Sequence, residues 1–219
     1  MVHRDHQGRV IARPTGNAMF SFPPTPPEYP GLDLPATHRF LVSLSGGKDG
    51  AAALVATVRA VQAAGIPLNR IETVFADLGD ADEWPGTREL TAAQAKRFGL
   101  RHHVVYREVP DDAGGTRQQG LLEYIGSRRQ QMWPLPNQPY CRSDLKRGPI
   151  RKLKTRLADE IRQAEGVEGP VRIVEVLGIR AQESTPRSQH FKQCCIGDIG
   201  AGCARPRSAV FLFRSLYEL

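Results

Sequence analysis

Little in this chain marks an exported or membrane protein. Its 219 residues contain no apolar run near the ~18–20 needed to cross a bilayer. The opening MVHRDHQGRVIARPTG carries charge but no apolar stretch of the kind that directs secretion. Only four cysteines are present, and without an export signal a reducing cytoplasmic setting is expected for them rather than a disulfide framework. Lysine is scarce too, at 6 residues against 24 arginines. The net charge of +7 favours polyanionic partners such as nucleotides, nucleic acid or acidic lipid, but an arginine bias of this kind also follows from genomic base composition. Charge alone decides nothing. What the chain does have is a 40% hydrophobic content and 21 glycines, enough for one domain with a real core and some appendages.

Residues 1–37 hold seven of the seventeen prolines, in PTGNAMFSFPPTPPEYPGLDLP, and show no amphipathic period. Such a stretch reads as a proline-rich N-terminal arm. From Arg39 the pattern changes to strands alternating with helices. Phe40–Leu44, Ile71–Ala76, His103–Tyr106 and Val171–Leu177 are short apolar strands. Helices are expected over 50–64, 87–98, 120–131 and 149–163, the last with Ile150, Leu153, Leu157 and Ile161 on one face. This alternation predicts an α/β fold with a parallel sheet over residues 38–188, followed by a cysteine-containing C-terminal tail over 189–219.

The first strand runs into Ser45-Gly46-Gly47-Lys48-Asp49-Gly50 and then a helix. Adjacent glycines allow a tight turn whose N–H groups face an anion. The helix dipole adds partial positive charge there, and Lys48 adds a full one. Neither the Walker pattern nor the dinucleotide fingerprint is present.

SGGKDG after an apolar strand resembles the SGGxDS loop of the PP-loop ATP pyrophosphatases, with Gly50 where a serine or threonine is usual. Three further segments resemble the phosphoadenosine phosphosulfate (PAPS) reductase-like family of that superfamily, in the expected order. Asp77-Leu78-Gly79 with Glu83-Trp84-Pro85-Gly86-Thr87 is similar to its D-T-G…P-E-T stretch. Cys141-Arg142-Ser143-Asp144-Leu145-Lys146 is similar to C-(T/S)-x-x-L-K, and Gly178-Ile179-Arg180-Ala181-Gln182-Glu183-Ser184 with Arg187 to G-x-R-x-x-E-S-x-x-R.

The resemblance implies an adenine nucleotide alpha hydrolase-like sandwich, a parallel sheet in three layers. It implies ATP or PAPS as ligand, with Mg²⁺. Ser43, Ser45, Gly46, Gly47, Lys48 and Gly50 would surround the phosphates, and Asp49 would face Mg²⁺ or cap the helix. Asp77 and Gly79 would meet the nucleoside unless Asp77 is itself a turn cap. Gly178, Arg180, Glu183, Ser184 and Arg187 would close the site, with Arg180 and Arg187 as anion clamps. Lys48, Asp49, Arg180 and Cys141 are the expected catalytic residues.

Eight basic side chains against three acidic ones between 141 and 163 put +5 of the net charge in 23 residues. On an amphipathic helix they are expected to line the solvent side. A basic face over 142–162 could also dock DNA or tRNA, and relatives with this architecture serve DNA phosphorothioation and tRNA thiolation. A partner subunit or sulfur donor is a further expected partner.

Cys194, Cys195 and Cys203 lie beyond the resemblance, which stops after Ser188. Their spacing does not fit the ligand set of adenylylsulfate reductases, so no iron–sulfur cluster is expected. The redox cysteine of an E-C-G-x-H segment has no counterpart here. The leading expectation is therefore an ATP-using enzyme that activates an acceptor for sulfur transfer. Thiol-dependent PAPS or adenylylsulfate reduction and a non-catalytic nucleotide-binding module are the alternatives.

Overall fold

The computed structural model describes residues 32–128, 133–135 and 140–179, together with the backbone of 210–218. Elements follow in the order β1 (Arg39–Leu44), α1 (Lys48–Ala63), β2 (Ile71–Ala76), α2 (Thr87–Lys96) and β3 (Arg101–Val105). A hairpin of β4 (Glu108–Pro110) and β5 (Thr116–Gln118) comes next, then α3 (Leu121–Ser127), α4 (Tyr140–Arg142), α5 (Gly148–Glu165), β6 (Arg172–Ile179) and β7 (Val210–Glu218).

Side-chain alternation along β1 decides the layering. Phe40, Val42 and Leu44 point to one face and meet Ala53, Leu54, Val58 and Val61 of α1, with Ala95 of α2. Leu41 points to the other face with Val74, Val105 and Ile173, and meets Ile150, Leu153, Leu157 and Ile161 of α5. Each of the valines, leucines, isoleucines and Phe40 among them contributes roughly 1.5–3 kcal/mol by leaving water, so both helical layers are held chiefly by burial. The alanines of α1 let that helix approach closely, and β2, covered on both faces, is buried over its first five residues as a central parallel strand must be.

The sheet order is β3-β2-β1-β6-β7. The first four strands are parallel, as the alternation predicts. The fifth, β7, is antiparallel to β6 and comes from the segment that sequence assigns to a tail. At the other boundary, residues 32–37 lie on the domain: Leu32 and Leu34 pack against the α1 side of the core, and Thr37 is fully buried. The hairpin β4–β5 was not expected; the turn Asp111–Gly115 makes it, with Asp111 Oδ1 accepting from the N–H of Ala113 (3.0 Å) and of Gly115 (2.6 Å). The helix expected over 120–131 is shorter, because the chain is already extended at Arg128.

α4 runs through a π turn (Ser143–Arg147) into α5. The cause is Pro149, which has no N–H for the carbonyl of Leu145; the Gly148 N–H reaches instead to Ser143 O, five residues back.

Under the sheet edge, His102 contacts Thr73 Oγ1 through Nδ1 (2.8 Å) and Thr91 Oγ1 through Nε2 (3.3 Å). Burial, and secondarily the neighbouring His103, hold its pKa below the usual 6.5. The unfolded chain therefore takes up this proton first. The stability tied to neutral His102 is complete above pH 6.5 and is lost as pH falls below it. Melting temperatures between pH 7.5 and 5 should fall more steeply in the wild type than in His102→Gln; parallel profiles would remove this role.

Candidate functional site

The chain moves outward from β1 through β2 to β3, then returns to the other side of β1 as β6. The point between β1 and β6 where that direction reverses is where open α/β sheets form a ligand crevice, outside the carboxyl ends of the strands. The Ser45–Gly50 segment starts there. Gly46 takes φ +73, a conformation glycine adopts without cost, and it sits against Thr87 and Leu90 of α2. Gly47 caps α1 with no side-chain hydrogen bond. The first N–H groups of a 16-residue helix thus have no side-chain cap, while Ser45, Gly47 and Lys48 are exposed beside them. Asp49 lies in the same first turn.

Ser43, near the end of β1, alternates onto the Leu41 side of the sheet, opposite α1, where its Oγ is buried with no hydrogen-bond partner among the described residues. Gly178, at the end of β6, lies so close beneath α1 that an added Cβ would stand 2.3 Å from Asp49 O and 2.8 Å from Gly50 N. The first and fourth sequence segments are thereby in backbone contact. At Gly50 a Cβ would meet Ser43 O at 3.4 Å, an ordinary contact, so space does not demand glycine in place of the usual serine.

The second segment forms the next wall. Asp77 follows β2, is 2% exposed, and receives hydrogen bonds from Gly79 N–H (2.9 Å) and from Arg88 Nη2 of α2. It caps its turn and pairs with Arg88, so both carboxylate oxygens are engaged within the protein. Gly79, at φ +103, crosses the backbone of Gly120, where a Cβ would come 3.1 Å from Gly120 Cα. Leu78 O accepts from Leu121 N–H (2.9 Å), fastening this loop to the start of α3.

The third segment meets the second through charge. Glu83 is half-buried, and desolvation raises its carboxyl pKa; Lys146 of the π turn is the largest influence opposing that rise, while Asp77 and Asp82 reinforce it. Glu83 and Lys146 both fall in segments that carry the resemblance but had no site role there, and no spacing signal links two residues 63 positions apart; the fold alone brings their charges within range of each other. Arg88 escaped notice for the same reason. Cys141 is partly exposed and unbridged in α4. Arg180, Glu183, Ser184, Arg187, Cys194, Cys195 and Cys203 lie outside the described residues.

No family model, no curated protein and no solved structure matches this chain. The site therefore has to be read from its own chemistry. Among the described residues no group of three or more histidine, cysteine or acidic side chains is arranged to hold a metal ion. No described helix is long and apolar enough to cross a membrane.

The basic stretch over 142–162 does not form a uniform solvent face. Lys154 is 2% exposed and pairs with Glu175 of β6 at 2.8 Å. Lys152 pairs with Glu108 (3.3 Å) and Arg162 with Asp159 (3.2 Å). Acidic residues on β4 and β6, and one within the helix, engage these three cations, and the exposed basic side chains beside them are Arg142, Lys146 and Arg147 at the α4–π end with Arg151 and Arg156 on α5.

Proposed function

We propose that this protein is an adenine-nucleotide-binding enzyme of the PAPS reductase-like PP-loop type, with an adenine nucleotide alpha hydrolase-like sandwich and a proline-rich N-terminal arm. ATP is the preferred ligand. The observation that carries the reading is a glycine loop at the topological switch point, leading into a helix whose N-terminus has no side-chain cap and presents exposed Lys48. A triphosphate supplies the anion this arrangement suits.

In this reading Ser45, Gly46, Gly47 and Lys48 hold the phosphates. A single carboxylate, Asp49, suits Mg²⁺ only when phosphate oxygens supply most of its shell, as is usual for that ion. The bound metal would neutralise phosphate charge. Asp77 and Gly79 act mainly by shaping the wall beside the nucleoside, since the Asp77 oxygens are already engaged by Gly79 and Arg88. Arg180, Glu183, Ser184 and Arg187 keep the roles the resemblance gives them. Attack by an acceptor on the α-phosphorus breaks the bond to the bridging oxygen and releases pyrophosphate. The negative charge gathering on that leaving group faces Lys48 and the α1 N–H groups. The acceptor belongs to sulfur-transfer chemistry and is brought by DNA, tRNA or a partner subunit.

Calorimetric titration of reduced protein with ATP and with PAPS, each with and without Mg²⁺, tests this. Mg²⁺-dependent preference for ATP is the expected result. Metal-independent preference for PAPS would transfer the assignment to reduction, with partly exposed Cys141 as the thiol to examine. Tight ATP binding without turnover would leave a binding module, and binding of neither nucleotide would overturn the reading altogether.

A further inference from the structure

The same edge of the sheet carries a second concentration of positive charge, just past β3. Arg107 lies with its guanidinium carbon 4.3 Å from the centre of the Tyr124 ring. That of Arg128 lies 4.0 Å from the Tyr140 ring centre and 5.5 Å from that of Tyr124. The two rings meet edge to face, 5.8 Å apart. Stacking occupies the faces of the guanidiniums and leaves their edges to donate. Arg107 Nε donates to Gln119 Oε1 (2.8 Å), and Arg128 Nη1 donates to Tyr124 OH (3.0 Å). The rest of each fork has no acceptor among the described residues, and neither arginine forms a salt bridge there.

One carboxylate, Asp144, feels the charge of both arginines, and it is already committed. Its Oδ2 accepts from Tyr124 OH (2.5 Å) and its Oδ1 from Ser143 Oγ (2.6 Å). Two half-buried guanidiniums against one carboxylate leave one positive charge uncompensated. At the rim, Lys152 and Glu108 cancel each other at 3.3 Å. Arg107, with Ser143, Asp144, Gly148 and Pro149, lines an adjoining cleft of about 260 Å³ whose far wall is the π turn created by Pro149, while Arg128 stands outside that lining, against the Tyr124 and Tyr140 rings. That volume suits a phosphoryl group with part of its attached residue, and is below the usual range for a whole drug-sized ligand.

We propose that Arg107 and Arg128 form a second oxyanion site that takes a phosphate group of the acceptor substrate. Arg107 follows β3, which is two strands along the sheet from β1 and its glycine loop. Paired guanidinium edges match the two-sided geometry of a tetrahedral dianion better than that of a single carboxylate. The anion supplies the charge that Asp144 leaves unbalanced. Assigning that anion to the acceptor rests on the function proposed above; the binding of phosphate itself does not.

The first probe is inorganic phosphate, followed on the intact protein through the Nε–H resonances of the arginines. Saturable shifts of Arg107 and Arg128 are expected. Saturation without movement of either would overturn the site, whatever the variants do. Arg107→Gln/Arg128→Gln should weaken phosphate binding about tenfold or more while leaving ATP affinity unchanged, and Lys48→Ala should do the reverse. If the double glutamine variant does not fold, Arg107→Lys and Arg128→Lys keep the charge but lose the fork and should still weaken phosphate. A 5′-phosphorylated dinucleotide should bind more tightly than its unphosphorylated form. Equal binding of the two would remove the assignment to a phosphorylated acceptor. Loss of ATP binding with retained phosphate binding would sink the proposed function and leave this site standing.

Discussion

Gly178→Ala is expected to be the most damaging single-methyl substitution at the site. The added carbon would stand 2.3 Å from Asp49 O, 2.4 Å from Asp49 C and 2.8 Å from Gly50 N. All three atoms are backbone, so no side chain can swing aside, and either the start of α1 must lift or β6 must shift. Both options are resisted. β6 is hydrogen-bonded to β1 along Arg39–Ser43, and α1 is held by Ala53, Leu54, Val58 and Val61 against the same strand. Overpacking of this kind costs on the order of 3 kcal/mol. For a chain of this size that corresponds to a drop in melting temperature of roughly 6–12 °C. Because the displaced atoms belong to the phosphate-facing turn, ATP affinity should fall in the molecules that remain folded. Gly50→Ala is the informative contrast: its Cβ meets Ser43 O at 3.4 Å, so it should be nearly as stable as the wild type. A wild-type melting temperature for Gly178→Ala would show that the two backbones do not meet this closely.

That contact also marks how far the sequence can be read. Hydrophobic period placed β1, β2, α1 and α5 within a few residues, since each has one dominant pattern: continuous burial in the strands, and the Ile150–Leu153–Leu157–Ile161 face in the helix. What decides the shape of the site left weaker traces. Gly178 is required by a neighbour 128 positions away, and a glycine gives no sign of which backbone it accommodates. Pro149 was legible as a helix start, its commonest place, but α4 and the π turn precede it, so here it distorts a longer helical run instead. Lys154 falls four residues after Ile150 and three before Leu157, so the helical period itself puts it on the buried face, and only the presence of Glu175 on β6 makes a charge there tolerable. β7 was missed because its segment, VFLFRSLYE, follows a glycine- and cysteine-rich stretch with no further strand–helix rhythm to anchor it.

Lys48→Ala should separate function from stability. The side chain is exposed in the first turn of α1, so its loss leaves the glycine turn, the N–H groups and the packing of α1 in place. Surface changes of this kind typically shift stability by no more than about 0.5 kcal/mol. The ammonium's hydrogen bond to a phosphate is worth about 1.5–3 kcal/mol, so ATP affinity should fall roughly 10- to 150-fold. The backbone N–H groups alone should retain the remainder. Lys48→Arg keeps the charge and should recover part of the loss. An attraction between ATP and a chain of net charge +7 could imitate this result without any specific contact. Arg151→Gln removes the same unit of charge from an exposed position on α5 and provides the comparison. Long-range attraction would weaken both variants alike and fade with salt, whereas a direct contact weakens only Lys48→Ala and persists when salt is raised to physiological strength. Equal losses in the two variants would assign ATP binding to the general field of the protein, and the glycine loop would no longer be its site.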